Sequence, residues 1–99
     1  MPVIHSATFS ALPTTTSEQI AAVHAATQAL ATIPGCVWLK FGATLPNERA
    51  KGYTHQLVAE FESIDAVKAY VPHPTHKAFV EGNIQYFDSS KTIILDFEY

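Results

Sequence analysis

Residues 36–61, CVWLKFGATLPNERAKGYTHQLVAEF, decide the fold: they hold two alternating strands, Cys36–Ala43 and Tyr53–Phe61, joined by a polar loop carrying Pro46, Asn47 and Gly52. That loop is too long for a two-residue hairpin turn. Upstream, Ile33-Pro34-Gly35 ends a helix. Thr15 or Thr16 caps its start, with Glu18 or Gln19 at capping-box spacing, and Ile20, Val23, Thr27 and Leu30 recur at helical intervals. Further out, Val3–Ser10 reads as a first strand closed by Pro13 and a threonine run. Downstream, Ser63 opens a second helix through Ala66, Val67 and Tyr70, which Pro72 and Pro74 interrupt before helix resumes around Ala78–Tyr86. Lys91–Tyr99 is a last strand.

The order βαββαβ predicts one ferredoxin-like α+β domain over residues 1–99, with four antiparallel strands in the order 4-1-3-2 and the helices on one face. Alternation assigns the faces. Val3, His5, Ala7 and Phe9, with Val37, Leu39 and Phe41, and with Tyr53, His55, Leu57, Ala59 and Phe61, are expected against the helices. The opposite face still carries Ile4, Trp38 and Val58. On the last strand Ile93, Leu95, Phe97 and Tyr99 share one side, with Ile94 and Asp96 on the other. A row of four large apolar side chains left in water is unusual for a monomer, so a second copy is expected to cover it, making a homodimeric α/β barrel.

Composition bounds the function. With 47% hydrophobic and 15% charged residues, the 99-residue chain has enough core to fold without disulfides or a structural metal. A net charge of −3, with six scattered Lys and Arg, leaves no basic stripe for nucleic acid. No segment is long and apolar enough to span a membrane, and the start MPVIHSATFS lacks the charge and apolar run of a secretory signal, so a cytoplasmic location is expected. The single Cys36 reads as a strand residue rather than a nucleophile.

Chemistry must come from polar residues set into the apolar helix-side face. His5 and His55 lie on strand faces otherwise filled with Val, Ala, Leu and Phe, where an imidazole needs a partner; for each, a satisfied core histidine and a functional one read equally well. His24 falls on the polar side of the first helix. In Tyr70-Val71-Pro72-His73-Pro74-Thr75-His76 two prolines fix the backbone between a tyrosine and two histidines, which is the rigid placement general acid–base work needs. His73 and His76 lack Cys or carboxylate companions at zinc spacing, so no metal is expected.

His5, the run Gly52-Tyr53-Thr54-His55, Phe61-Glu62-Ser63, and Tyr70 followed by His73-Pro74-Thr75-His76 together resemble the stress-responsive dimeric α/β-barrel family over essentially the whole chain. In particular the pattern is similar to that of the family's plant polyketide cyclases. The resemblance implies a cofactor-free aldol-type cyclase or lyase in which His76 is the general base, Asp96 orients it, Tyr70 donates to a developing enolate, and His5 and His55 complete the site. A partly apolar pocket between helices and sheet, lined by Val23, Ala26, Thr27, Leu57, Val71, Phe79 and Ile94, is expected to take a small apolar or aromatic carbonyl compound. The first helix presents Val23, Ala26 and Thr27 where the cyclases carry bulkier aromatic groups, so the pocket should differ in shape.

Two other readings stay open. A barrel with buried histidines also suits a non-enzymatic stress-response or small-ligand-binding protein, with Tyr70 and His76 serving only as hydrogen-bonding groups. Met1-Pro2 before a strand also resembles the tautomerases that use an amino-terminal proline as base, which would require removal of Met1.

Overall fold

The computed structural model describes residues 1–99. Alternating β-branched and aromatic residues form four strands, β1 (Val3–Phe9), β2 (Cys36–Ala43), β3 (His55–Phe61) and β4 (Ile93–Glu98), which pair throughout as antiparallel neighbours in the order β2-β3-β1-β4. This is the expected order read from the other edge, and the fold is a ferredoxin-like α+β sandwich. Three helices cover the sheet: α1 (Ser17–Leu30), α2 (Ile64–Tyr70) and α3 (Pro74–Asn83).

Local chemistry sets the helix ends. Of the two candidate threonines, Thr16 is the N-cap of α1; its hydroxyl accepts from the Gln19 amide while the Gln19 side chain accepts from the Thr16 amide. Ser63 caps α2 by accepting from the Ala66 amide. Helix resumes at Pro74, four residues earlier than Ala78. Proline is tolerated at a first helical position because that amide would be unbonded anyway, and the His73 side chain caps the turn by accepting from the Thr75 amide.

One core joins the sheet to the helices. Val3, Val23, Thr27, Leu30, Phe61 and Tyr70 are its largest fully enclosed side chains. Burying Phe61 alone contributes on the order of 2 kcal/mol by removing its ring from water. Expected inward residues His5, Ala7, Leu39, Phe41, Leu57 and Ala59 are also buried. Val37 is not. Cys36 pairs with Phe61 and Trp38 with Glu60, so Val37 is the extra residue of a β-bulge and is exposed rather than turned to the helices. Tyr53 precedes β3 and its hydroxyl donates to the Lys91 carbonyl, tying the 44–54 loop to the approach of β4.

The outer face keeps its apolar row. Ile93, Leu95 and Phe97 stand opposite Thr8, Ser6 and Ile4, and Leu95 and Phe97 are 65% and 60% exposed. Trp38 extends the row across the sheet, and the Tyr99 hydroxyl donates to the Glu60 carboxylate on this side.

Gly35, which ends the α1–β2 connection, has φ +92°, and a Cβ there would lie 2.6 Å from that of Ala66. Gly35→Ala is therefore expected to cost more than the roughly 1–2 kcal/mol of a left-handed backbone alone, read as a lowered midpoint in urea unfolding; an unchanged midpoint would mean that α2 does not press on this turn.

Candidate active site

The site lies between the inner face of the sheet and the three helices, in a cavity of about 400 Å³. Thirteen of its eighteen lining residues are hydrophobic, so polar groups that reach it act in a medium where each hydrogen bond counts for more than in water. Among the residues expected to line a pocket, Val23, Leu57, Val71, Phe79 and Ile94 do so. Ala26 and Thr27 do not. Thr27 is fully buried with its hydroxyl donating to the His24 carbonyl of its own helix, and Ala26 lies off the stripe defined by Val23, Thr27 and Leu30.

His5, Tyr70 and His76 meet at one end of the cavity. The Tyr70 ring sits 4.5 Å from His76, 5.6 Å from His5 and 4.8 Å from Phe61, centroid to centroid. Tyr70 is the last residue of α2 and only 2% exposed. Its hydroxyl makes no hydrogen bond to the protein; since no fully enclosed side-chain polar atom lacks a partner, that hydroxyl opens onto the cavity. Burial, with a smaller contribution from Cys36, pushes its ionisation far above the ordinary tyrosine range, so it is a hydrogen-bond donor at all physiological pH.

His76 lies in the first turn of α3, and its Nδ1 is 2.9 Å from the carbonyl oxygen of Val71. A carbonyl only accepts, so Nδ1 carries the proton and the neutral ring keeps its lone pair on Nε2. Burial lowers the pKa of His76 below its ordinary 6.5; the bond to Val71 works in the opposite direction, and nearby His5 lowers it further. At neutral pH Nε2 is thus an available base.

Asp96 was expected to orient His76 and instead pairs with His5, its Oδ1 2.5 Å from the His5 Nδ1. The register explains the exchange: His5 and Asp96 are direct partners on neighbouring strands, while the His76 ring turns back to the carbonyl five residues before it. His5 is 6% exposed, and Asp96 supplies the partner its burial requires. His55 does not reach the cavity. It stands opposite Phe9 at the far end of β3 from Ala59, which pairs with His5. There its ring stacks on Phe41 at 5.6 Å, its Nδ1 contacts the Thr54 hydroxyl at 2.8 Å, and desolvation lowers its pKa. It faces a separate shallow groove formed with the 43–54 loop. His24 is exposed, as its place on the polar helix side implied.

Cys36 is half-buried, with its thiol directed to the Trp38 carbonyl and its pKa raised by burial, which suits a structural residue rather than a nucleophile. Nowhere do three or more His, Cys, Asp or Glu side chains converge as a metal site. Pro2 does not line the cavity, and its carbonyl accepts from the Tyr99 amide. No helix is long and apolar enough to cross a membrane.

The cavity also takes in Val80, Asn83, Ile84, Phe87, Ser89 and Thr92, which the sequence reading did not single out. For Val80 and Asn83 a signal existed: they follow His76 by four and seven residues, one helical face.

The fold thus defines a two-layer ferredoxin-like sandwich with a ligand-sized cavity under its helices. Within that class the chain belongs to the stress responsive A/B barrel domain family, whose model matches residues 3–99. Among curated proteins, none matches the chain. Solved structures do. A protein of Arabidopsis thaliana superposes with a TM-score of 0.87 at 26% identity, over 98% of this chain and 94% of its own. A dimeric ferredoxin-like protein of unknown function from Thermobifida fusca gives 0.84 at 29% identity, over 100% and 92%. A hydroxynitrile lyase from Passiflora edulis gives 0.85 at 22% identity, over 97% and 91%, a level that speaks for the fold alone.

Because the Tyr70 hydroxyl bonds to nothing in the protein, Tyr70→Phe is expected to leave unfolding free energy within about 0.5 kcal/mol of the parent. Urea denaturation checks this; a loss of 1 kcal/mol or more would reveal an internal partner for the hydroxyl.

Proposed function

We propose that the chain is a cofactor-independent enzyme that removes an acidic α-proton from a small carbonyl compound, in the manner of a polyketide cyclase or a related lyase, and that it works as a homodimer. The observation that carries this reading is the pairing, in one apolar cavity, of a lone-pair-bearing His76 Nε2 with an unpartnered Tyr70 hydroxyl on rings 4.5 Å apart. One is a base and the other a donor, and each is held by structure that its function does not consume.

In the proposed reaction His76 Nε2 takes the α-proton, and the C–H bonding pair becomes the enolate. Tyr70 donates a hydrogen bond to the enolate oxygen, where charge develops. The enolate carbon then attacks a second carbonyl of the same molecule, forming the new C–C bond, and the resulting alkoxide recovers the proton from the His76 imidazolium. The protonated intermediate is short-lived because desolvation and the neighbouring His5 both disfavour charge on His76. His5, fixed by Asp96, is the second polar wall at this end of the cavity. Binding without turnover is the rival reading, favoured by how apolar the cavity is; it would show as a bound ketone whose α-protons never exchange.

The homodimer reading rests on the exposed row of Leu95, Phe97 and their neighbours, and on the dimeric state of the Thermobifida fusca relative. A two-fold pairing of such faces would cover both rows at once.

His76→Ala should reduce α-proton exchange of a β-diketone into D2O by roughly 10²–10⁴-fold, and retained exchange would remove His76 as the base. In the parent, the rate should stay level above the ordinary histidine range and fall only below pH 6.5, since the lowered pKa keeps the base neutral until then; a fall setting in at higher pH would contradict the assignment. Leu95→Asp should convert the dimer to monomer in sedimentation velocity, because the carboxylate would be buried without a partner. An unaltered dimer would place the interface elsewhere.

A further inference from the structure

The polar groups of the cavity fall into two sets. His5, Tyr70 and His76 form the first. The second is Asn83 at the end of α3, with Ser89 and Thr92 in the connection to β4. The strand register separates them: His5 stands opposite Asp96, Ala7 opposite Ile94, and Thr92 lies beyond the Thr8–Ile93 pair. From His5 to Phe9, both of which line the cavity, is four residues, or about 13 Å along an extended strand. Between the two sets the walls are apolar, with Ala7, Leu57, Phe79 and Ile94 among them.

Charge is distributed just as sharply. No Lys, Arg, Asp or Glu lines the cavity, so no fixed cation is there to receive a carboxylate or a phosphate. Asp96, bonded to His5 behind one end, occupies the Nδ1 of that ring. An anionic head group would lose its water and meet no permanent counter-charge. A neutral carbonyl meets the Tyr70 hydroxyl, a donor with no other partner. At the second set, the hydroxyls of Ser89 and Thr92 are free of side-chain hydrogen bonds to the protein, while the Asn83 amide nitrogen already donates to the Phe79 carbonyl. Ser89 is exposed and Thr92 half-buried, so this end opens to solvent and is one mouth of the cavity, alongside the exposed rim residues Val71, Ile84 and Ile94.

We infer that the cavity selects an uncharged, elongated carbonyl compound, its ketone or aldehyde oxygen on Tyr70 and a hydroxyl or ether group at the Ser89–Thr92 mouth, and that it discriminates against the carboxylate of the same shape. The inference rests on the proposed carbonyl-binding function and narrows it: the polar groups of the His5–Tyr70–His76 end choose the head group, and the Ser89–Thr92 end chooses the tail.

The test uses calorimetric binding at pH 7.5 with three probes: 4-(4-hydroxyphenyl)butan-2-one, its carboxylate counterpart 3-(4-hydroxyphenyl)propanoate, and 4-phenylbutan-2-one, which lacks the distal hydroxyl. The hydroxylated ketone should bind at least 10-fold more tightly than the carboxylate, and more tightly than the phenyl ketone. Thr92→Val should remove most of the difference between the two ketones while leaving phenyl-ketone affinity in place, and Tyr70→Phe should weaken both ketones together. Equal or tighter binding of the carboxylate overturns the head-group assignment, and a Thr92→Val protein that still prefers the hydroxyl overturns the mouth. α-Proton exchange of the bound ketone, followed by NMR in D2O, is read separately: ketone selectivity without exchange sinks the base reading and spares this one, whereas exchange with no head-group selectivity does the reverse. Failure of all three probes to bind overturns both.

Discussion

The Nδ1–H of His76 donates to the carbonyl of Val71 across the break between α2 and α3, and the chemistry of the cavity depends on that contact. A continuous helix would carry Val71 and His76 past each other with that carbonyl committed to the backbone ladder. Pro72 and Pro74 prevent it. Pro72 has no amide proton to continue the ladder, so α2 closes at Tyr70 although Val71 is still helical, whereas Pro74 holds the preceding His73 extended and α3 reopens at Pro74 under the His73 cap. The same break leaves Tyr70 as the last residue of one helix and His76 in the first turn of the next, with their rings in contact. One turn of chain thereby fixes the tautomer of the base and the position of the donor at this end of the cavity.

The sheet supplies the rest of this end. Pairing of β1 with β4 puts His5 beside Asp96, which resolves a buried imidazole that the apolar inner face could not otherwise hold. Phe61 and Tyr70 pack edge-on against the His5 ring, so the dyad is enclosed on the helix side by aromatic surface rather than by water. Burial and the neighbouring His5 both lower the pKa of His76, so the neutral state of this base depends on the packing around it as much as on its own ring.

Much of this was legible in the sequence because it rests on local rules. Strand alternation, the Thr16 and Ser63 caps, the breaking prolines and the strand order all follow from residue chemistry and short connections. What escaped depended on three-dimensional register. The bulge at Val37 adds a residue without any turn signal, since valine suits a regular strand equally well. Asp96 was matched to His76 through resemblance, whereas cross-strand pairing gives it to His5; that partner becomes visible only when β1 and β4 are aligned residue by residue. Starting α3 at Ala78 hid the 76, 80, 83 face, and with it the lining residues Val80 and Asn83. Antiparallel pairing already places His5 and His55 towards opposite ends of their strands, which argues against His5 as the direct participant. The helices instead bring Tyr70 and His76 to the His5 end, and Phe9, Phe41 and Phe87 surround His55.

The central claim is that His76 presents an unprotonated Nε2 to the cavity beside a Tyr70 donor. Long-range 15N–1H NMR of the histidine rings at neutral pH tests it most directly, because the two nitrogens of a neutral imidazole report their protonation separately. His76 should show the Nδ1–H tautomer, a titration midpoint below 6.5 and an Nε2 signal that moves when a ketone binds. A proton on Nε2, or a ring already charged at pH 7, would contradict it.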